Sequence, residues 1–310
     1  MAAAASDAQP SAAATSHRVA MDTLVTIEAV GGPSERTDER TAKAFAWFAE
    51  VEACCSRFDP ASELSRLCDQ PGTAVRVSPL LFRAIEFALA VAERSGGAFD
   101  PTVGDAMARA GFTENYQTGA TTGARSAALP SFRDVALDPA TSEVTLGRSL
   151  TLDLGAVAKG LAIDLAAQEL RGLEGFAINA GGDIYAEGRN HDGTPWAIGI
   201  RHPREFDALA ETFAVSGAAV CTSGDYERTS TSEAAHHHIL DPSSGRAASG
   251  AASVTVIAPS AMLADALATA AFVLGPERGI AFLEEQGVEG LIITPGLERF
   301  ETTGLQEFIA

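Results

Sequence analysis

Strand-like and helix-like segments alternate from residue 22 to the end of this 310-residue chain, and no linker long enough to separate independent domains interrupts them. Such interleaving predicts an α/β fold in which mixed α+β sheets and helices form layers around one continuous core. The chain can build such a core without disulfides or structural metals, because 46% of its residues are hydrophobic and it is long enough to bury many of them.

We predict strands from runs of β-branched and apolar residues, and helices from apolar residues that recur at spacings of three and four. Strands are expected at residues 22–30, 135–137, 143–146, 150–154, 176–179, 196–201, 212–215, 252–258 and 290–294. Helices are expected at residues 37–58, 79–95, 156–170, 260–274 and 277–286. The Gly-, Thr- and Ser-rich residues 114–130 are expected to form a surface loop, and the Ala- and Ser-rich residues 1–17 a disordered leader.

The formal net charge of −19 argues against binding to nucleic acid, which depends on clustered Lys and Arg. Lys43 and Lys159 are the only lysines, and the sequence contains no basic run. An acidic surface also repels anionic nucleotides, so a nucleotide site would need its own local positive charge. A bound divalent cation would supply that charge.

The four cysteines have neither CxxC spacing nor a histidine at metal-ligand spacing. The adjacent Cys54 and Cys55 lie in an apolar helical pattern, which favours small core residues over a redox pair. No segment approaches the ~20 apolar residues of a transmembrane helix, and the first residues lack the basic and apolar regions of a signal peptide.

Three glycine-containing segments are candidates for ligand binding. In residues 152–160 a strand enters a helix, whose first N–H groups could bind an anion, with Lys159 one turn further on. Packing alone would also explain this junction. Residues 178–184 contain Gly181-Gly182, which suit either a close ligand approach or a plain hairpin turn before Asp183. Residues 221–228 carry hydroxyls, a glycine and carboxylates that suit a polar ligand rim or an ordinary turn.

Two further segments carry side chains suited to catalysis. Residues 236–238 are three histidines; neighbours on a strand point to opposite faces, so the three cannot all ligate one ion. One of them could instead transfer a proton near neutral pH, although a structural histidine is the common alternative. Asp265 and Thr269 share one face of an otherwise apolar helix, where a hard cation would offset the cost of burying a carboxylate. A local contact within the helix is the alternative.

In this order and with these gaps, the segments resemble the FAD:protein FMN transferase (ApbE) family. The resemblance covers residues 21–275 and is also carried by further motifs. These motifs are Met21-Asp22-Thr23, Ser56-Arg57-Phe58-Asp59-Pro60, Ser62-Glu63-Leu64-Ser65-Arg66 and Gly97-Ala98-Phe99-Asp100-Pro101-Thr102-Val103-Gly104. It implies one compact unit over residues 18–310, made of two closely packed subdomains with an FAD cleft between them.

The resemblance also implies a reaction and a role for each matching residue. The reaction is Mg²⁺-dependent transfer of the FMN half of FAD to a Thr or Ser hydroxyl of an acceptor flavoprotein, a flavinylation that releases AMP. His238 would help to deprotonate that hydroxyl. Mg²⁺ would be held by Asp265 and Thr269, with backbone around Ala156 and Ala268. FAD would contact Met21, Phe58, Ala98, Phe99, Asp100, Asp153, Lys159 and Leu240.

The sequence departs from the family pattern in three respects, of which Leu240, where relatives often have isoleucine, is a conservative change. Asp22 stands where the family usually has glycine, which adds a negative charge beside the expected flavin pocket. Relatives are commonly exported lipoproteins, whereas no lipobox cysteine is visible here, so we expect a cytoplasmic location, with a periplasmic or membrane-associated one as the alternative. Two other functions stay open: an FAD pyrophosphatase that gives free FMN and AMP, and a non-catalytic flavin-binding protein.

Overall fold

The computed structural model describes residues 12–31, 34–115, 118–227 and 237–310. Its largest element is an eight-stranded sheet in which every pair of neighbouring strands is antiparallel. In spatial order the strands are β1 (Ala13–Ala20), β2 (Thr23–Val30), β6 (Gly175–Ala180), β7 (Asp183–Gly188), β10 (Ala218–Gly224), β13 (Ser253–Ala258), β14 (Glu289–Ile293) and β15 (Arg299–Glu301).

Helices pack on one face of this sheet and bury the main hydrophobic core. The long helices are α1 (Glu35–Cys55), α3 (Pro79–Arg94), α5 (Gly155–Leu170), α6 (Ala261–Leu274) and α7 (Pro276–Glu285). The helix α6 is buried around most of its circumference, which explains why its sequence is almost wholly apolar.

A two-stranded hairpin covers part of the opposite face and closes a second core. It consists of β8 (Trp196–Arg201) and β9 (Leu209–Val215). The strand β8 alternates strictly between buried and exposed residues, as expected for a strand with one face towards a core and the other towards solvent.

The fold also contains several smaller elements. They are a three-stranded sheet of β3 (Ala74–Arg76), β5 (Glu143–Leu146) and β4 (Val135–Asp138), the short helices α2 (Glu63–Cys68) and α4 (Gly104–Arg109), and the pair β11 (Leu240–Asp241) and β12 (Arg246–Ala247). Three 3₁₀ turns complete the fold at Pro101–Val103, Phe132–Asp134 and Leu305–Phe308.

The predicted mixed α/β layers are confirmed, and each predicted helix is present within a few residues of its expected bounds. Within the described ranges, no helix combines the length and the hydropathy that a membrane span requires.

Two predictions for strands and termini are wrong. Residues 13–17, expected in a disordered leader, belong to β1, which pairs with β2 over eight residues; residues 1–11 lie outside the described part of the chain. Residues 150–154 are not a strand. Their alternating leucines are buried as expected, but the backbone bonds to a turn instead of a neighbouring strand, with Asp153 N–H donating to the Pro101 carbonyl at 2.7 Å.

Candidate active site

A cavity of about 490 Å³ opens where the β1–β2 turn, the C-terminal end of α1 and the N-terminal end of α5 meet α6. Residues of the segments 56–58, 98–115, 222–227 and 238–242, together with Gly181, complete the wall. The cavity therefore draws on segments from residue 21 to residue 269, which the fold brings together from nearly the whole chain.

All but one of the predicted site residues line this cavity. Those that line it are Met21, Phe58, Ala98, Phe99, Asp100, Asp153, Ala156, Lys159, His238, Leu240, Asp265 and Thr269. The exception is Ala268, which is fully buried in the core beside Thr269. His236 and Arg228, which belong to two of the motifs, lie outside the described residues.

The N-terminal turn of α5 is organised by Asp153. Its Oδ1 accepts the Gly155 N–H at 2.8 Å, while the N–H groups of Val157 and Ala158 donate to the Leu154 carbonyl. Three of the first four N–H groups of this helix are thus already paired, and the expectation that they are free to bind an anion is wrong for these three. Ala156, between them, has non-helical dihedral angles (φ −88°, ψ 15°) and kinks the first turn.

Arg57 packs against Asp153 and is itself almost fully buried. Its Nε lies 2.7 Å from Asp153 Oδ2, its Nη2 donates to the Phe112 carbonyl at 2.7 Å, and its guanidinium lies 4.1 Å from the centre of the Phe58 ring. Arg57 therefore joins three segments of the cavity wall and balances the charge of Asp153.

Lys159 forms an ion pair with Asp183, and both belong to segments that the sequence marked out. Asp183 is 1% exposed at the start of β7, where its Oδ1 also accepts the Thr222 N–H at 3.2 Å. The hairpin reading of Gly181-Gly182 is confirmed, since both have positive φ (64° and 100°). Any side chain at Gly181 would also collide with the Thr23 hydroxyl, so the turn needs glycine there to approach the β1–β2 turn.

Asp265 and Thr269 lie one turn apart on α6, as their spacing predicts, and both reach the cavity. Asp265 is only 6% exposed, and Thr269 Oγ1 lies 3.3 Å from Ser223 Oγ of β10. The start of α6 is held to α5 by Asp164, whose two carboxylate oxygens accept the Ala261 and Met262 N–H groups at 2.7 and 3.0 Å. These contacts fix the separation of the two helices that line this end of the cavity.

The adjacent histidines point in different directions, as expected. His237 bonds to the Ala248 carbonyl at 2.7 Å and packs against the Phe272 ring, away from the cavity. His238 lines the cavity and presents its ring edge-on to Phe112, with 6.4 Å between ring centres. Of these two residues, only His238 can reach a molecule in the cavity.

Asp100 lines the cavity, and both oxygens of its carboxylate already accept hydrogen bonds from the protein. Oδ1 accepts the N–H and hydroxyl of Thr102, and Oδ2 accepts the Phe132 N–H. Burial raises the pKa of Asp100, and these hydrogen bonds oppose that rise. The carboxylate thus acts as a cap that shapes the 98–103 turn.

The lining of the cavity is strongly acidic. Its described cations are Arg57 and Lys159, and each is paired with a carboxylate. Its carboxylates are Asp22, Glu52, Asp100, Glu114, Asp153, Glu227 and Asp265. An anion entering this cavity would meet net repulsion unless a further cation came with it.

Sequence reasoning missed several residues that shape the cavity. Glu52 accepts the Met21 N–H at 3.0 Å and positions the β1–β2 turn. Asn115 donates to Asp22 Oδ2 at 3.0 Å and ties that turn to the loop after α4. Arg57 and Ser223 lay inside quoted motifs, but the contacts of Arg57 with Asp153 and of Ser223 with Thr269 were not predicted. No periodicity marks such residues, because their roles arise from pairing between distant segments.

Comparison with known proteins identifies relatives over most of the chain. The sequence profile of the ApbE family matches residues 21–292. A FAD:protein FMN transferase of Treponema pallidum is 34% identical over 286 residues, which are 85% of this chain and 79% of that protein. One from Rhodobacter capsulatus is 31% identical over 280 residues, which are 87% of this chain. The match spans about half of that protein (53%), and the match to a Vibrio cholerae FAD:protein FMN transferase likewise spans 51% of its length.

Comparison with solved structures also identifies ApbE proteins as similar to this chain. A crystal structure of an ApbE protein from Thermotoga maritima superposes with a TM-score of 0.86 at 31% identity, over 96% of this chain and 100% of that one. The flavinyl transferase ApbE of Pseudomonas stutzeri, in its apo form, gives 0.81 at 26% identity, over 97% and 98% of the two chains.

Proposed function

This chain belongs to the ApbE family, and from that membership we propose that it transfers the FMN half of FAD to a Thr or Ser hydroxyl of an acceptor flavoprotein and releases AMP. Relatives that carry the name FAD:protein FMN transferase support this reaction. The unit that performs it would be residues 18–310.

One observation carries the proposal: motifs spread from residue 21 to residue 269 line a single cavity. Its volume of about 490 Å³ is within the ~300–1,000 Å³ range of small-molecule sites. A binding role for any one of these motifs has an ordinary structural alternative. Those structural alternatives do not explain why all of the motifs line one cavity.

The residues at the α6 end fit a magnesium ion. Asp265 and Thr269 offer hard oxygen donors, and backbone carbonyls around Ala156 and Ala268 could add to them. No group of three or more His, Cys, Asp or Glu able to hold a metal occurs among the described residues, so the protein would supply few ligands. Coordination positions would then be left for phosphate oxygens and water. When bound, Mg²⁺ would neutralise charge on the diphosphate, which an acidic cavity requires.

The chain's own side chains would divide the remaining work. Lys159 would bind a phosphate or a flavin carbonyl after exchanging part of its contact with Asp183, and Arg57 would keep Asp153 neutralised beside the ligand. His238 would accept the proton of the acceptor hydroxyl, whose oxygen attacks phosphorus while AMP departs. The walls formed by Phe58, Phe99 and Leu240 would exclude water from the flavin half.

The same site would serve an FAD pyrophosphatase if water replaced the acceptor hydroxyl. A protein that only stores flavin would need neither the Asp265–Thr269 pair nor His238 in its cavity. We therefore retain hydrolysis as the second candidate, distinguished from transfer by whether FMN leaves free or bound to protein.

The decisive experiment combines purified protein, FAD, Mg²⁺ and a candidate acceptor, with AMP release and an FMN-sized mass increase of the acceptor as readouts. Asp265→Asn should lower AMP release about 100-fold or more, by analogy with losses on removing metal-site or electrostatic groups. Asp38→Asn, at an exposed carboxylate of α1 that does not line the cavity, should retain most of the activity. Equal turnover in Asp265→Asn and wild type would refute the metal assignment.

A further inference from the structure

The tip of the β1–β2 hairpin carries two exposed apolar side chains on its outer face. Val19 and Leu24 are directly opposite each other across the two strands and are 61% and 55% exposed. In strands, such partners project from the same face with their side chains in contact range. Single exposed apolar residues are common and need no explanation. A cross-strand pair beside a cavity is more specific.

The same hairpin lines the cavity with its turn. Met21, Asp22 and Thr23 belong to the cavity wall, and Leu24 is the next residue; its carbonyl accepts the N–H of Gly181, another lining residue. Val19 precedes Met21 by two residues, a distance of roughly 7 Å along a strand. A chain segment lying over Val19 and Leu24 would therefore be directed to the mouth of the cavity.

The described elements that pack on the two faces of the sheet do not cover the Val19–Leu24 pair. Helices cover the inner face of the hairpin, where Val25 and Ile27 are fully buried. The β8–β9 hairpin covers the outer face only further along the sheet, and β1 is the terminal strand. In the described part of the chain, the Val19–Leu24 surface is left open to a partner.

We propose that the Val19–Leu24 pair is the docking surface for the acceptor protein, contacting apolar side chains next to its target hydroxyl. This inference rests on the proposed transfer function, which requires a second protein to bring a hydroxyl into the cavity. Carboxylates of Asp22, Glu114 and Glu227 line the cavity, and the chain carries a net charge of −19. These charges repel an acidic segment, whereas an apolar segment can pack on the Val19–Leu24 pair, which adjoins the turn that lines the cavity.

The test uses a double variant that keeps strand propensity but removes apolar surface, Val19→Thr with Leu24→Thr. The control is Phe206→Thr with Leu209→Thr, two exposed apolar residues (85% and 62%) in the β8–β9 connection and at the start of β9, neither of which lines the cavity. The acceptor probe is the FMN-free subunit of the candidate acceptor flavoprotein used in the transfer assay. FMN attachment is measured by mass against acceptor concentration, and FAD binding by flavin fluorescence quenching.

We expect the hairpin variant to need about tenfold more acceptor for half-maximal transfer, which corresponds to roughly 1.4 kcal/mol. FAD binding should stay within about twofold of wild type, and the control variant should match wild type in both measurements. An unchanged acceptor requirement in the hairpin variant would overturn the docking surface while leaving the transferase function intact. An equal loss in the control variant would also overturn it.

Two other occupants of the surface would be visible in the same experiments. Concentration-dependent dimers of wild type that are lost in the hairpin variant would assign the pair to a second copy of this chain. Faster transfer after deletion of residues 1–11 would assign it to that segment. If wild type releases AMP but attaches no FMN to the subunit, the result would support the hydrolysis alternative. It would refute both the transferase function and the docking proposal that rests on it.

Discussion

Asp22 can adopt the backbone conformation that its position in the turn requires, but its charge alters the cavity. Met21 and Asp22 have φ values of 52° and 60°, so they form a two-residue hairpin turn in which both central residues are left-handed. Aspartate tolerates this conformation better than most residues other than glycine. The substitution at the family's usual glycine position is thus accommodated, and its side chain gains a hydrogen bond from Asn115.

The charge of Asp22 should nevertheless oppose FAD binding, because it lines the cavity. Asp22→Asn keeps a side chain suited to the left-handed turn and an oxygen that can accept from Asn115, but removes the charge. We expect FAD to bind about two- to fivefold more tightly, the range for a partly screened charge. Fluorescence quenching at low salt measures this, and the gain should shrink at high salt. Weaker binding by the variant would mean that Asp22 contacts FAD favourably.

The paired histidines provide an internal control for proton transfer. His238→Gln should lower FMN transfer about 100-fold, the lower end for loss of a positioned base, while FAD affinity changes by less than about twofold. His237→Gln, at the neighbouring position outside the cavity, should transfer at nearly the wild-type rate after its folding is verified. Steady-state rates and quenching titrations separate the two effects. A variant of His238 with normal turnover per bound FAD would exclude the base role.

At the level of secondary structure, the sequence predicted helices better than strands. Ser78-Pro79 at the start of α3 and the apolar repeat of α6 are strong local signals. The strands β1, β7 and β10 were not predicted as such. The turn before β2 contains no glycine, β7 follows directly on Gly181-Gly182, and the polar residues at the end of β10 suggested a loop. Their strand character comes from pairing across the sheet, which no local pattern contains.

The same distinction applies to the cavity. Many of the residues that line it are those that the resemblance to the ApbE family implied, whereas Glu52, Asn115 and the pairings between lining residues were not predicted. The links from Lys159 to Asp183 and from Arg57 to Asp153 join segments far apart in sequence. The side chain of Ala268, whose backbone was predicted beside the metal, faces the core, because the helical face shared by Asp265 and Thr269 excludes their neighbour.

Asp164 connects α5 and α6, and its titration should be visible in stability. Burial raises its pKa above the usual 3.8, although the bonds from Met262 and Ala261 oppose this rise. A raised pKa in the folded state means that ionisation is more costly there than in the unfolded chain. The contribution of Asp164 is therefore complete below pH 3.8 and is lost as the pH rises through the folded-state value.

Asp164→Asn removes that titration. We expect the difference in unfolding free energy, wild type minus variant, to fall as the pH rises above 3.8 and to level off once the pH exceeds the folded-state pKa of Asp164. Urea unfolding of both proteins at several pH values measures it, and other titrating groups cancel in the difference. A difference that grows with pH would show that the two N–H groups stabilise the carboxylate more than burial penalises it.

At the scale of the whole molecule, the net charge of −19 and the acidic cavity together oppose the binding of an anion. Without a divalent cation, both the long-range field and the lining carboxylates repel FAD. Salt screens such repulsion, since the Debye length falls from about 30 Å at 0.01 M to about 8 Å at 0.15 M. In EDTA, added NaCl should therefore strengthen the weak binding of FAD.

With Mg²⁺ present, the cation should neutralise the diphosphate and much of the lining, so that the same salt series has little effect or weakens FAD binding. Quenching titrations in EDTA and in Mg²⁺, each at low and at near-physiological salt, give the sign of both slopes. A change in the sign of the salt dependence between EDTA and Mg²⁺ would mean that the metal creates the anion site. An unchanged sign would mean that the metal only strengthens a site that already attracts anions. If FAD affinity in EDTA falls with salt, then Arg57 and Lys159 dominate the field despite their carboxylate partners, and the cavity does not depend on the metal to admit its ligand.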